Sequence, residues 1–373
     1  MGRYSFGVGV YPQGEEAQQE ELEAYIRQAA ALGCGEVFCS LHLPERNNLE
    51  LLGPLEELAC LVHGLGLQLS ADLSGAMART LAQGGGFPQL RRMKLDWVRL
   101  DFGFAPADTL ALVEAAAPGG VMLNASVLEP AQLAQQVSVL RGACPRLGLR
   151  GHHNYYPMPD TGLSLDFVAR RGAQYRPYGI PVTACVASRH RPRPPMGMGL
   201  PTVERHRTLS PAAAALALLG TGQVDDILVG DPFATRQELE QLALVCGHGQ
   251  PVLRLCCAPD STPQERALVL DRPHQARPDE ADFAIRSLSS RQMAAQGVAV
   301  PPRSGGIRRP GDVVVVNSRG KRYSGEVQLL RRIRPPADWS NLVGRIVPED
   351  LWMLPLLGPG ADFRLVCDEA SPA

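Results

Sequence analysis

The chain has 373 residues, 45% of them hydrophobic, which can bury a sizeable core but exceeds the roughly 250 to 300 residues beyond which one core stops growing. Two domains are therefore expected. Thirty-seven Lys plus Arg nearly cancel thirty-eight Asp plus Glu, and a net charge of −1 excludes a global field for polyanions or anionic lipid, so nucleic acid and membrane are not expected partners.

Eight short apolar or β-branched runs open the chain in a regular rhythm, at 6–11, 36–41, 67–72, 97–101, 121–125, 147–152, 181–186 and 227–231. Each is followed by a stretch of helical period. The first of these stretches, 15–31, sets Leu22, Tyr25, Ile26 and Ala29 at i, i+3, i+4 and i+7, with Gly33 as a stop; Gly64 and Gly66 end the second. Strand, crossover helix and two loops fit the spacing, which predicts a parallel sheet. The turn Val10-Tyr11-Pro12-Gln13-Gly14 lacks G-x-G-x-x-G, so a closed TIM (β/α)8 barrel is favoured over an open dinucleotide-binding sheet.

From about residue 249 the rhythm changes to strands without long helices, at 252–257, 282–286, 311–317, 325–330, 342–347 and 362–367. Asn317-Ser318-Arg319-Gly320 reads as a hairpin connection. The division expected is a catalytic TIM barrel over 1–248 and a small all-β barrel over 249–373, an α/β chain overall. The nine cysteines are odd in number, scattered and without C-x-x-C, and the eight histidines show no H-x-H or H-x-x-x-H spacing, so neither a disulfide framework nor a metal is expected. No cofactor motif is present. No apolar run reaches the roughly 18 residues of a membrane span, and the first eleven residues do not read as a signal peptide, which points to the cytoplasm. The oligomeric state is not legible.

In a TIM barrel the C-terminal strand ends carry the chemistry. Here they offer Tyr11, Ser40, His42, Asp72, Ser74, Asp101, Asn124, Ser126, His152, His153, Asn154, Ser188 and Asp231. For Asp72 a helix-capping role is as good a reading as a functional one. Residues 151–164 combine hydrogen-bonding groups with Tyr155 and Tyr156, a mixture suited to a sugar ring, and the bland reading is a loop whose Asp160-Thr161 caps the next helix. Residues 188–195 hold three arginines among prolines, suited either to clamp a phosphate or to lie solvated. Thr235 is placed to cap a helix whose open N–H groups, in the 230–235 turn, could receive an anion. Arg286 and Arg291 could reach the cleft or serve a domain interface, the latter being favoured.

The chain resembles the bacterial 6-phospho-N-acetylmuramidase family over essentially its full length. The resemblance rests on Gly9-Val10-Tyr11-Pro12, Arg99-Leu100-Asp101-Phe102-Gly103-Phe104, Leu123-Asn124-Ala125-Ser126 and His153-Asn154-Tyr155-Tyr156-Pro157 through Thr161-Gly162-Leu163-Ser164. It also rests on the run from Gly199 to Glu204-Arg205-His206-Arg207, on Asp225-Asp226-Ile227-Leu228-Val229-Gly230-Asp231, and on Ile285-Arg286-Ser287 and Gly311-Asp312-Val313-Val314. It implies a (β/α)8 barrel followed by a cyclophilin-like β-barrel. The implied substrate is N-acetylmuramic acid 6-phosphate linked β-1,4 to N-acetylglucosamine, cleaved during recycling of cell-wall fragments. The loop 189–195 departs from the family's pattern.

Cleaving a glycoside commonly takes two carboxyl groups. Asp101 and Glu204 are the expected catalytic pair, Asp101 as nucleophile or stabiliser and Glu204 as an acid with a raised pKa, though the order could be reversed, and the substrate's acetamide could attack instead. Tyr11, Ser40, Asn124, His153, Asn154, Tyr156, Thr161, Arg207 and Asp231 are the expected substrate contacts, Arg207 and the 230–235 turn for the phosphate. Two alternatives stand beside this. One is another phosphosugar enzyme on the same barrel, weakened because no lysine ends a barrel strand to form a Schiff base. The other is a non-catalytic phosphosugar sensor.

Overall fold

Eight parallel strands close into a ring in sequence order: β1 Ser5–Val10, β2 Glu36–Ser40, β3 Gln68–Leu73, β4 Trp97–Leu100, β5 Gly120–Asn124, β6 Gly148–His152, β7 Val182–Val186 and β8 Asp226–Val229. The ring is sealed by β1 pairing with β8, Phe6 opposite Ile227. The computed structural model describes residues 4–11, 16–40, 52–83, 87–101, 104–270, 272–291, 300–303 and 306–368. His42, Pro12 to Gly14 and Phe102-Gly103, singled out above, lie outside the described residues.

The strands are buried on both faces, as a sheet covered by helices requires. Helices α1 Glu16–Ala31, α2 Leu52–Gly64, α3 Gly75–Gln83, α4 Phe87–Met93, α5 Pro106–Ala116, α6 Pro130–Ala143, α7 Leu165–Ala173, α8 Pro211–Gly220 and α9 Arg236–His248 follow the strands. Ile26 and Ala29 of α1 are fully buried, and the chain leaves that helix through Gly33 at φ 88°, a left-handed turn that costs glycine nothing. Helix α7 is capped by Ser164, whose Oγ accepts from the Phe167 N–H at 3.1 Å, not by Asp160-Thr161. Thr161 instead donates to the Met158 carbonyl at 2.7 Å.

Side chains that meet across the ring from strands that are not neighbours identify the inward face. Glu36 on β2 pairs with Arg150 on β6, and Phe38 stacks on His152 with ring centroids 5.8 Å apart. Alternation then puts Glu36, Phe38 and Ser40 inside, and Ser70 with Asp72, Arg99, Asn124, Arg150 with His152, and Asp226 with Leu228. The lower layer is ionic: Glu36 takes the Ser70 hydroxyl at 2.5 Å, and Arg150 lies 3.7 Å from Asp226. Burial raises the Glu36 carboxyl's pKa, against the pull of Arg150. Phe38, Cys185 and Leu228 form the apolar middle, with Tyr155 packed against them. At the N-terminal end the Trp97 ring lies across Gly120, where a Cβ would meet ring atoms at 2.3 Å, so a side chain there would displace the indole.

The chain divides into two compact units, Met1–Gly249 and Gln250–Ala373. The second is a curled seven-stranded sheet of β9 Val252–Cys257, β10 Pro273–Gln275, β11 Ala284–Arg286, β12 Asp312–Val316, β13 Val327–Leu330, β14 Ser340–Ile346 and β15 Asp362–Cys367. Its order is β10-β15-β9-β14-β12-β13-β11, antiparallel except for β9 beside β15. A single bridge, Ala276 to Ser287, joins its two edges. β12 and β13 form the hairpin expected from Asn317, whose side chain caps a 3-10 turn at Ser318–Tyr323. Helix α10 Pro263–Val269 carries Glu265, fully enclosed, whose carboxylate accepts from Asn341 at 2.6 Å and Arg303 at 2.9 Å. Arg286 forks onto Glu326 at 2.9 and 3.0 Å, and Arg291 lies 3.6 Å from the same carboxylate, so both arginines serve pairs inside this unit.

Candidate active site at the barrel mouth

Arg99 organises the mouth. It sits on β4, 3% exposed, in the register position beside Asp72 on β3. Its Nε donates to His152 Nδ1 at 2.9 Å, its Nη1 stands 3.2 Å from Asp101 and 3.9 Å from Asp72, and its Nη2 donates to the Asn154 side chain. Burying a guanidinium this deeply is tolerable only with such partners. Burial, then the Arg99 charge, pushes the His152 pKa well below its ordinary value, so the ring is neutral and accepts at Nδ1.

Asp101 ends β4 one layer above Arg99, with 22% of its side chain exposed. Asn124, from the end of β5, donates to the Asp101 carbonyl at 3.0 Å and to Asn154 Oδ1 at 2.9 Å, and accepts from the Ser126 N–H at 3.0 Å. Asp72 is 4% exposed. Because Asp72 and Asp101 both approach one nitrogen, the carboxylate oxygens nearest it are at most about 7 Å apart. Asp72 thus faces the mouth beside Arg99. Ser40, 3% exposed, ends β2 opposite Asp72.

Beside these lie two phenols. Tyr11 donates to the Gly230 carbonyl at 2.8 Å, and the Arg193 guanidinium lies 4.1 Å above its ring. Burial pushes Tyr155 up to about 12, and burial likewise raises Tyr11 well above its ordinary value. Arg193 therefore hangs over the mouth, and among the described residues no carboxylate forms an ion pair with it. A pocket of about 480 Å³ opens against Asp101 and Asn124, walled by Leu100, Phe104, Val127 and Gln136 among others.

Several expected contacts are otherwise engaged. Glu204 stands on the same mouth, in a 3-10 turn (Glu204–His206) after β7, but as a clasp. Its oxygens accept from Arg207 Nε and Nη2, both at 2.7 Å, and from the Gly162 N–H at 2.8 Å. The Arg207 hydrogen bonds, helped by backbone donors against some burial, lower its pKa to about 2, the reverse of the raised value expected for an acid. The remaining Arg207 N–H groups reach the carbonyls of Met198, Gly199 and Met158, so its fork is used up and does not face a phosphate. Thr202, two residues earlier, donates to the Asn154 carbonyl at 2.9 Å, and Tyr156 N–H donates to that of Pro201 at 3.0 Å, lacing the loops after β6 and β7 together.

Because the folded Glu204 lies below its ordinary 4.5, the clasp stabilises the fold fully above about pH 4.5 and loses that contribution as pH falls toward 2. Chemical denaturation of wild type and Glu204→Gln should give curves separated by a constant amount above pH 4.5 that converge below it. Parallel curves throughout would exclude the clasp.

His153, expected to grip a hydroxyl, is fully enclosed, 3.2 Å from Ser126 Oγ, and burial lowers its pKa to about 3. Asp231 is likewise sealed from solvent. It receives the N–H groups of Arg193 at 2.9 Å, Leu200 at 3.0 Å and Ser188 at 3.1 Å, anchoring the loop after β7 instead of meeting a sugar. Thr235 caps α9 as expected, and Glu238 closes a capping box and also takes the Ser188 hydroxyl and Arg189 N–H, so a carboxylate of the chain itself already sits at that helix start. Among the described residues no group of three or more His, Cys, Asp or Glu is placed to hold a metal, and no helix is long and apolar enough to cross a membrane.

Family models for the 6-phospho-N-acetylmuramidase N-terminal domain, over residues 6–244, and C-terminal domain, over 251–366, both match. The chain belongs to the 6-phospho-N-acetylmuramidase family. Among solved structures, an uncharacterized B. cereus protein is 26% identical, with a TM-score of 0.71, and the match covers 98% of this chain and 99% of that one. A conserved Enterococcus faecalis protein of unknown function is also 26% identical, with a TM-score of 0.69 over 98% and 97% of the two chains. No curated protein matches the chain.

Proposed function

We propose that this family member is a glycoside hydrolase cleaving N-acetylmuramic acid 6-phosphate from N-acetylglucosamine, a step in cell-wall recycling. The observation that carries the reading is the pair of carboxylates, Asp72 and Asp101, flanking one buried arginine at the barrel mouth. Asp101 is the carboxylate that faces the oxocarbenium-like centre, held by Arg99 and Asn124. The second carboxyl group is better sited at Asp72 than at Glu204, whose oxygens are bound and whose pKa is about 2. Nine free thiols suit the cytoplasm, where such a reaction would run.

The sugar phosphate is matched to Arg193, the basic side chain that overhangs Tyr11. Wild type should cleave the phosphorylated disaccharide and discriminate against its dephosphorylated form. Arg193→Ala should erase roughly 10- to 100-fold of that preference, the worth of a charge-assisted hydrogen bond. Steady-state assays on the two disaccharides check both points. No hydrolysis by wild type would leave a sensor as the better reading, and an unchanged preference in Arg193→Ala would move the phosphate elsewhere.

A further inference from the structure

Two arginines of the second unit stand opposite one another without a counter-charge. Arg308 and Arg334 form an isolated antiparallel bridge, exchanging main-chain hydrogen bonds at 2.9 and 3.0 Å. Residues paired in this way turn their side chains to one side with Cβ atoms about 5 Å apart, and like charges so opposed are destabilising. Arg308 is only 6% exposed, and its Nε is enclosed without a hydrogen-bond partner. Among the described residues no carboxylate forms an ion pair with it or with Arg334.

The surroundings hold these cations in place without cancelling them. Arg334 donates from Nη1 to Gln328 Oε1 at 3.2 Å and from Nη2 to Ser340 Oγ at 2.8 Å, and its guanidinium lies 4.5 Å from the centre of the Trp339 ring, all neutral partners. Its Nε, too, is enclosed without a partner. Asp312, whose field reaches both arginines, is already spent on Arg345 Nε at 2.7 Å and the Arg309 N–H at 2.9 Å. Arg303, engaged with Glu265 and Asp260, adds a third positive charge felt at Arg308. Burial lowers the pKa of Arg308 and of Arg334, yet a guanidinium keeps its proton, so an enclosed charge is left to be met from outside. The way in lies at Gly306, which is exposed: among the described residues only Arg308 Nη1, at 3.7 Å, comes within 4 Å of where its Cβ would stand. An oxyanion suits that opening, because the oxygens of a phosphate or carboxylate match the planar guanidinium fork.

We propose that Arg308 and Arg334 form an oxyanion site within the second unit, taking the phosphate or carboxylate group of a small molecule. The site does not depend on the hydrolase reading, since binding alone reports it. Calorimetric titration of the full chain carrying Arg193→Ala, which lacks the basic side chain matched above to the sugar phosphate, tests it. Inorganic phosphate and acetate are titrated separately into chloride buffer at constant ionic strength. At least one should bind saturably, and the tighter of the two identifies the group recognised. Adding Arg308→Met should weaken that binding about 10- to 100-fold, the worth of charge-assisted hydrogen bonds. This variant should also melt no lower than its parent in chloride, because what it removes is a buried cation without a counter-charge. Gly306→Asp, at an exposed position, should weaken the anion about tenfold by bringing a carboxylate of the chain beside Arg308 Nη1. No binding beyond chloride, or binding unchanged in both variants, would overturn the assignment. So would a much lower melting temperature for Arg308→Met in chloride, which would mean that the fold already satisfies this guanidinium.

Discussion

Asp101→Asn is expected to lower kcat for the phosphorylated disaccharide by about 10³-fold while leaving the protein folded. The amide keeps the shape and can still receive hydrogen bonds from Arg99 and Asn124, so the barrel end that Asp101 occupies should hold its geometry. What it removes is the negative charge that the proposed reaction needs beside the anomeric carbon. KM should move far less than kcat, because the side chain is only partly exposed and its loss chiefly affects the transition state. Turnover near wild type would show that this carboxylate takes no part, and the hydrolase assignment at this mouth would fall with it.

Arg99→Met should be the most destabilising single change at the site, costing about 3–5 kcal/mol in chemical denaturation. Methionine fills much of the volume but leaves Asp72 buried without its cation and His152 Nδ1 without its donor. Adding Asp72→Asn to Arg99→Met should recover part of the loss, because the side chain that faced Arg99 is then neutral. If the double variant were no more stable than the single one, Asp72 and Arg99 would not be coupled as their register suggests.

The barrel was legible because each strand is an apolar run about five residues long set off by a helical stretch, and the eight runs recur at lengths a crossover needs. The mouth was less so. Asp101 and Asn124 announce themselves as polar ends of apolar strands, but Arg99 is a cation inside one, and only the closed ring reveals that it joins Asp72, Asp101, His152 and Asn154. A charge two residues before a strand-end carboxylate was the available signal. Glu204 misled because its partner stands three residues on, a spacing that was readable as an ion pair but not as a clasp between loops. In the second unit β10 is hidden by its length and its leading Pro273, while α10 has a readable start in the capping box Thr262-Pro263-Gln264-Glu265.

Asp231 grips the loop after β7 only through main-chain N–H groups, at Ser188, Arg193 and Leu200. Such a hold is indifferent to which side chains the loop carries. The backbone path between those fixed points is therefore held whatever side chains it carries, and what the present ones add, Arg191 on Glu21 and Arg193 over Tyr11, is laid on top of that path.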